Sequence, residues 1–154
     1  MTNIPAKNNG EILYATELFK IIASDKTGGN STSKTETKIA EATIPASAAT
    51  TGIIIIANIN LVAGAGIGAP NSCTFKLYTG TNAAFGSNTE RQALSLGNEY
   101  ATNNLAAKNG GCFVLFLDSE ETWTGQVYVQ VTMQNGGAGN GATAYCKQVV
   151  VIGV

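Results

Sequence analysis

From Val127 to Gln134 the chain alternates without a break: Val127, Val129, Val131 and Met133 on one side, Tyr128, Gln130, Thr132 and Gln134 on the other. A period of two puts each set on its own face of an extended strand, whereas a helix would repeat its apolar residues at three and four. The valines and Met133 are expected to face a core, and the polar set to face away from it. One strand of this kind must pair with others to satisfy its backbone, so the rest of the chain has to supply partners.

It supplies them at short intervals. Thr37–Ile44 reads as a strand ended by Pro45, and Gly52–Val62 as another whose continuous isoleucines, Ile53 to Ile56, predict that both faces are covered. Ser72–Thr79 sets Cys73, Phe75 and Leu77 against Thr74, Lys76 and Tyr78. Gln92–Leu96 is a weaker strand, and Glu99–Ala107 is expected to be another, closing on an Asn109-Gly110 hairpin turn. Cys112–Leu117, Thr124–Gln134 and Ala142–Ile152 complete the set, with loops at 63–71 and 135–141. Short strands between turn signals predict an all-β chain, an antiparallel β-sandwich of jelly-roll-like form.

The N-terminal part reads differently. Residues 1–10 are polar; Thr16 suits a helix N-cap, and Leu18, Ile21 and Ile22 follow at helical spacing, so a short helix is expected near Thr16–Ala23. Lys26–Lys38, rich in Gly, Ser and Thr, reads as a linker. The expected organisation is an arm over 1–33, with the short helix and linker, followed by a β-sandwich domain over 34–154.

Composition narrows the chemistry. The 154 residues contain no histidine, and only 12% are charged. Histidine is the commonest proton carrier near neutral pH and the commonest metal ligand, so a Ser-His-Asp site is excluded and no cofactor or metal is expected. A net charge of −1 with scattered lysines gives no footprint for nucleic acid. The longest apolar run is broken by Asn58 and Asn60, far short of the roughly 20 residues that span a bilayer, and residues 1–10 lack the charged-then-apolar layout of a secretory signal. The chain is expected to be made in a cytoplasm and to bind neither nucleic acid nor membrane.

The remaining motifs have plain readings. Gly64, Gly66 and Gly68 lack the spacing of a dinucleotide fingerprint and lead to Pro70 and a strand rather than a helix. Asp118, Glu120 and Glu121 form the one acidic cluster, expected to be a solvated turn; they are also the one place where carboxylate catalysis could sit. Cys73, Cys112 and Cys146 have no metal-like spacing and are expected to be buried free thiols, with one disulfide as the alternative. Trp123, Tyr128 and Tyr78 could form a ligand platform, since ring faces stack on sugars, or could pack at the core edge.

The order of segments carries a resemblance. Gly10-Glu-Ile-Leu-Tyr-Ala-Thr-Glu-Leu18 resembles the opening of bacteriophage virion proteins, and Tyr145-Cys-Lys-Gln-Val-Val-Val-Ile-Gly153 looks like the closing strand of the same small β-sandwiches, with Glu36–Pro45 and Gly52–Ala57 between them. The resemblance implies a non-enzymatic virion structural protein of the decoration, head-fibre or tail-appendage type. It implies a homo-oligomer, a trimer, held on a major capsid or tail protein by its N-terminal arm. A carbohydrate-binding, receptor-recognising module of a phage fibre, with a host glycan as partner, is the alternative.

Overall fold

The structure, a computed structural model, describes residues 19–46, 48, 52–62, 71–98, 108–118, 125–136 and 142–154. These residues form nine strands: β1 (Lys20–Asp25), β2 (Gly29–Ser31), β3 (Thr37–Ile44), β4 (Ile53–Val62), β5 (Asn71–Gly80), β6 (Thr89–Asn98), β7 (Lys108–Leu117), β8 (Val127–Asn135) and β9 (Thr143–Gly153). A single 3₁₀ turn, Phe85–Ser87, interrupts the link from β5 to β6.

The strands form two sheets. One runs β1-β9-β4-β7, with β2 also bonded to β9; the other runs β3-β8-β5-β6. Every pairing is antiparallel. The pairs nest: β5 with β6, β4 with β7, β3 with β8, and β1 and β2 with β9. This is a long hairpin rolled across two layers, the jelly roll. One flank closes where β3 meets β1 and β2, the other where β6 meets β7.

The period-two patterns decide what lies between the layers. Val127, Val129, Val131 and Met133 are buried, beside Phe75 and Leu77 of the same sheet and in one core with Ile53, Ile55, Ala57, Val149 and Val151 of the other. Each such side chain contributes about 1.5–3 kcal/mol by leaving water.

Three expectations are corrected. The short helix is absent over its described part: Lys20–Ala23 lie in β1, bonded to the last strand, Ile21 opposite Ile152 and Ala23 opposite Val151. Helical spacing of Leu18, Ile21 and Ile22 is overridden because β-branched isoleucines suit an open sheet edge, and β9 offers one. Asn109-Gly110 is not a hairpin turn; both residues run within β7, opposite Leu61 and Asn60. Ten residues of β4 pair with β7 in unbroken register, and that ladder outweighs the local turn preference. Finally, Cys112 is exposed, while Cys73 and Cys146 are buried; all three are free thiols.

The sheets also begin earlier than the sequence boundary at residue 34. Within the stretch read as a linker, Asn30 in β2 pairs with Tyr145. The turn from β1 to β2 is built on Asp25, whose Oδ1 accepts the Thr27 amide and hydroxyl (3.0 and 2.9 Å) and the Gly28 amide (2.8 Å). Its Oδ2 accepts the Glu41 amide at 3.2 Å, tying this turn to β3 of the opposite sheet. Gly28 has φ +56°, and a Cβ there would lie 2.0 Å from the Cys146 carbonyl oxygen, so only glycine fits.

Candidate functional site

The two outer faces of the sandwich differ in kind. On the β3-β8-β5-β6 sheet, Gln130 and Thr132 point away from the core, as their alternation requires, yet both are fully buried. They are covered by the segment 81–88 and by side chains from β3, β5 and β6.

Gln130 is satisfied at every polar atom. Its Nε2 donates to Glu41 Oε2 and to the Ala83 carbonyl, both at 2.8 Å, and its Oε1 accepts Asn88 Nδ2 at 2.8 Å. Asn88 in turn pins the segment, donating to the Asn82 carbonyl (2.7 Å) and accepting the Asn82 amide (3.1 Å). Gly80 makes room for it: a Cβ there would lie 2.2 Å from Asn88 Oδ1.

Beside this knot sits a charged one. Glu36 Oε1 accepts the Thr132 hydroxyl at 2.7 Å and the Tyr78 hydroxyl at 2.8 Å. Lys76 lies between two carboxylates, 2.9 Å from Glu90 and 3.5 Å from Glu36. The Phe85 ring closes over Tyr78, with centroids 5.7 Å apart.

The electrostatics follow from these contacts. Burial pushes the Glu36 carboxyl up, but the hydrogen bonds from Thr132 and Tyr78 and the Lys76 charge outweigh it, leaving it below its usual value. Glu41 is likewise lowered, burial being outweighed by Gln130 and Lys38. The hydrogen bond to Glu90 raises Lys76, and burial together with Glu36 pushes Tyr78 up to about 12. Each shift favours the form already present at neutral pH. A lysine that holds its proton is a poor nucleophile and a phenol that holds its proton is a poor base, so Lys76 and Tyr78 serve here as hydrogen-bond partners of Glu36 and Glu90.

Of the sequence-predicted residues, Tyr78 and Tyr128 lie on the same outer face of neighbouring strands, Tyr78 opposite Gln130 and Tyr128 opposite Gly80. Tyr78 is buried, with its hydroxyl engaged as described, and Tyr128 is half-buried on β8 opposite Gly80. Trp123, the third member of the expected platform, lies outside the described residues, as do Glu120, Glu121 and the glycines of the 63–70 loop. Asp118 is exposed after β7. Among the described residues, no three His, Cys, Asp or Glu side chains converge as a metal site would require.

The other outer face is apolar. On the β1-β9-β4-β7 sheet one row across the strands is Ile21, Ile152, Ile54 and Phe116, and the next holds Val150, Ile56 and Val114. Phe19 is 53% exposed, Ile21 60%, Val114 61% and Phe116 58%. Beyond these rows the face turns polar, with Gln148, Asn58 and Cys112 and then Tyr145 and Asn60. Continuous apolar strands signalled this face in the sequence. The polar knot had no short-range signal, because Glu36, Tyr78, Glu90 and Thr132 meet only through sheet pairing.

No protein-family model matches the chain, and no curated protein matches it. Among solved structures it is similar to a chain of the T13 particle of the virus IBDV, with 13% identity and a TM-score of 0.48, over 88% of this chain and 30% of that one. It is also similar to a chain of infectious bursal disease virus, Gt strain, with 15% identity and a TM-score of 0.41, over 87% and 32%. The chain thus spans about a third of the length of those two chains. A likeness this distant leaves the function to be argued from the chain itself.

Proposed function

We propose that this chain is a non-enzymatic structural protein of a virion, decorating or attached to a capsid or tail and working as an oligomer. The observation that carries the reading is the contrast between the outer faces. One is sealed by a satisfied polar knot that holds its groups in their resting charge states. The other is an apolar sheet face with Ile21, Val114 and Phe116 exposed by more than half, and a contiguous apolar patch of this kind is often an interaction surface. A rigid sandwich with one face ready for burial suits a building block. The jelly roll is compatible, being common in capsid proteins and in lectins alike, and the resemblance of the opening and closing segments to phage virion proteins favours the first of these.

In this reading the copies form a trimer, and the residues before β1 fasten it to a major capsid or tail protein. Removing residues 1–18, which leaves every described strand in place, tests the attachment. Purified particles should then lack the chain, while the sandwich still folds. Normal incorporation of the shortened chain would refute the anchor. A glycan array giving specific binding that is lost in Tyr128→Ala would favour the carbohydrate-binding module instead.

A further inference from the structure

We infer that the apolar half of the β1-β9-β4-β7 face, Ile21, Ile54, Ile56, Val114, Phe116 and Ile152, packs against the same face of a second copy of this chain. The contact deepens the structural reading above by naming the surface through which copies meet, and it stands or falls separately from attachment to a particle.

Three observations select this occupant. The patch spans four hydrogen-bonded strands, with one register shift between Ile21 and Ala23, and sheet faces pack on one another about 10 Å apart with their side chains interdigitated. Its apolar rows lie at one end and its polar rows at the other, so a two-fold rotation can lay apolar rows on apolar rows, with the adjoining Gln148, Asn58 and Cys112 row at the rim of the contact and the Tyr145 and Asn60 row in solvent. Its size fits a pair. Ile21, Val114 and Phe116, exposed by more than half, with Phe19 two residues before Ile21 and the half-buried isoleucines and Val150, offer on the order of 450 Å² per copy. Two copies would bury roughly 900 Å², just under the ~1,000 Å² of a stable interface, so the pair is a weak, transient one in isolation. A patch that covers its own like makes a two-fold contact, so a trimer would use other surfaces as well.

Cys112 supplies a native reporter. It is exposed on β7, on the same face as Val114 and Phe116 and one row beyond them, whereas burial pushes the Cys73 and Cys146 thiols up to about 11 and about 12. A thiol reagent therefore reads Cys112 alone in the native protein.

The test uses the full chain across a concentration series, with sedimentation velocity for mass and thiol labelling for the face. The inference predicts self-association that rises with concentration, in which Cys112 labels several-fold more slowly as the two-fold contact forms. In Val114→Lys with Phe116→Lys, whose side chains point to solvent, association should weaken roughly a hundredfold or more, since each copy would bury unpaired charge. The same double substitution should leave the thermal melt unchanged, and Ser95→Lys on the opposite sheet should leave association unchanged. A monomer at all concentrations with constant Cys112 labelling overturns the inference. So does a monomer in which Cys112 is protected at every dilution, since the chain would then cover its own face. Association that survives the double substitution overturns it too. If the wild-type labelling and mass move together as predicted, the inference holds even where the double variant fails to fold. Incorporation into particles is scored independently, so failure of the pair and failure of the structural reading give different results.

Discussion

Replacing Gln130 with leucine removes the centre of the polar knot with little change in volume. Three hydrogen bonds are lost: those to the Ala83 carbonyl, from Asn88, and to the Glu41 carboxylate. A neutral hydrogen bond contributes about 1 kcal/mol net and one to a charged group about 1.5–3, so the loss is roughly 4 kcal/mol. Leucine returns part of this, about 1–2 kcal/mol, by burying apolar surface at a site that excludes water. Asn88 keeps the Asn82 carbonyl and Glu41 keeps Lys38, so neither is orphaned. The net expectation is a destabilisation of about 2–3 kcal/mol, or roughly 5–10 °C in a chain of this size. Urea unfolding followed by circular dichroism measures it, with a lower midpoint at unchanged slope. The Asn88→Ala, Gln130→Leu double variant should lose less than the sum of the single losses, by about 1 kcal/mol, because both act on one network. A Gln130→Leu protein as stable as the wild type would refute the reasoning and reduce the 81–88 segment to a loosely laid loop.

Val129→Asp places an unpaired charge in the middle of the core and should abolish soluble, folded protein; a well-folded variant would mean that β8 is set with the wrong face inward. Gly28→Ala should cost about 2 kcal/mol or more, since it combines left-handed backbone with a clash against the Cys146 carbonyl, and a thermal melt reads it directly. Glu36 and Glu41 are both lowered in the folded state, so the stability they lend is present above the ordinary glutamate value of 4.5 and is lost as pH falls through their folded values. An acid titration of the unfolding midpoint should show that limb, and Glu36→Gln should shrink it while the part due to Glu41 remains. Under native conditions one thiol per chain should react with a thiol reagent, and three after denaturation; two or three fast native thiols would contradict the burial of Cys73 and Cys146.

How much of this was legible in the sequence depended on the range of the forces involved. β3, β4, β5, β8 and β9 were placed within a residue or two, apart from the start of β8, because alternation and β-branched runs are local records of one buried face. β1 and β2 were missed because an edge strand is defined by the strand it joins, and β9 lies more than a hundred residues away in the chain. The Asn109-Gly110 reading failed for the same reason: a local turn preference of this kind yields to a long ladder with β4. The outward phase of Gln130 and Thr132 was correct, but their burial was not foreseeable, since it depends on Asn88, Glu36 and Glu41 arriving from three separate segments. The apolar outer face was the clearest functional signal, because Ile53–Ile56 leaves no polar side for water.

The central claim is that this chain is a structural part of a virion. Cryo-electron microscopy of particles purified from cells that produce the chain tests it most directly. The account predicts a two-layered β density in fixed, symmetry-related copies, with Phe19, Val114 and Phe116 at contacts rather than facing solvent. Particles that lack the density, with the chain left free in the soluble fraction, would contradict it.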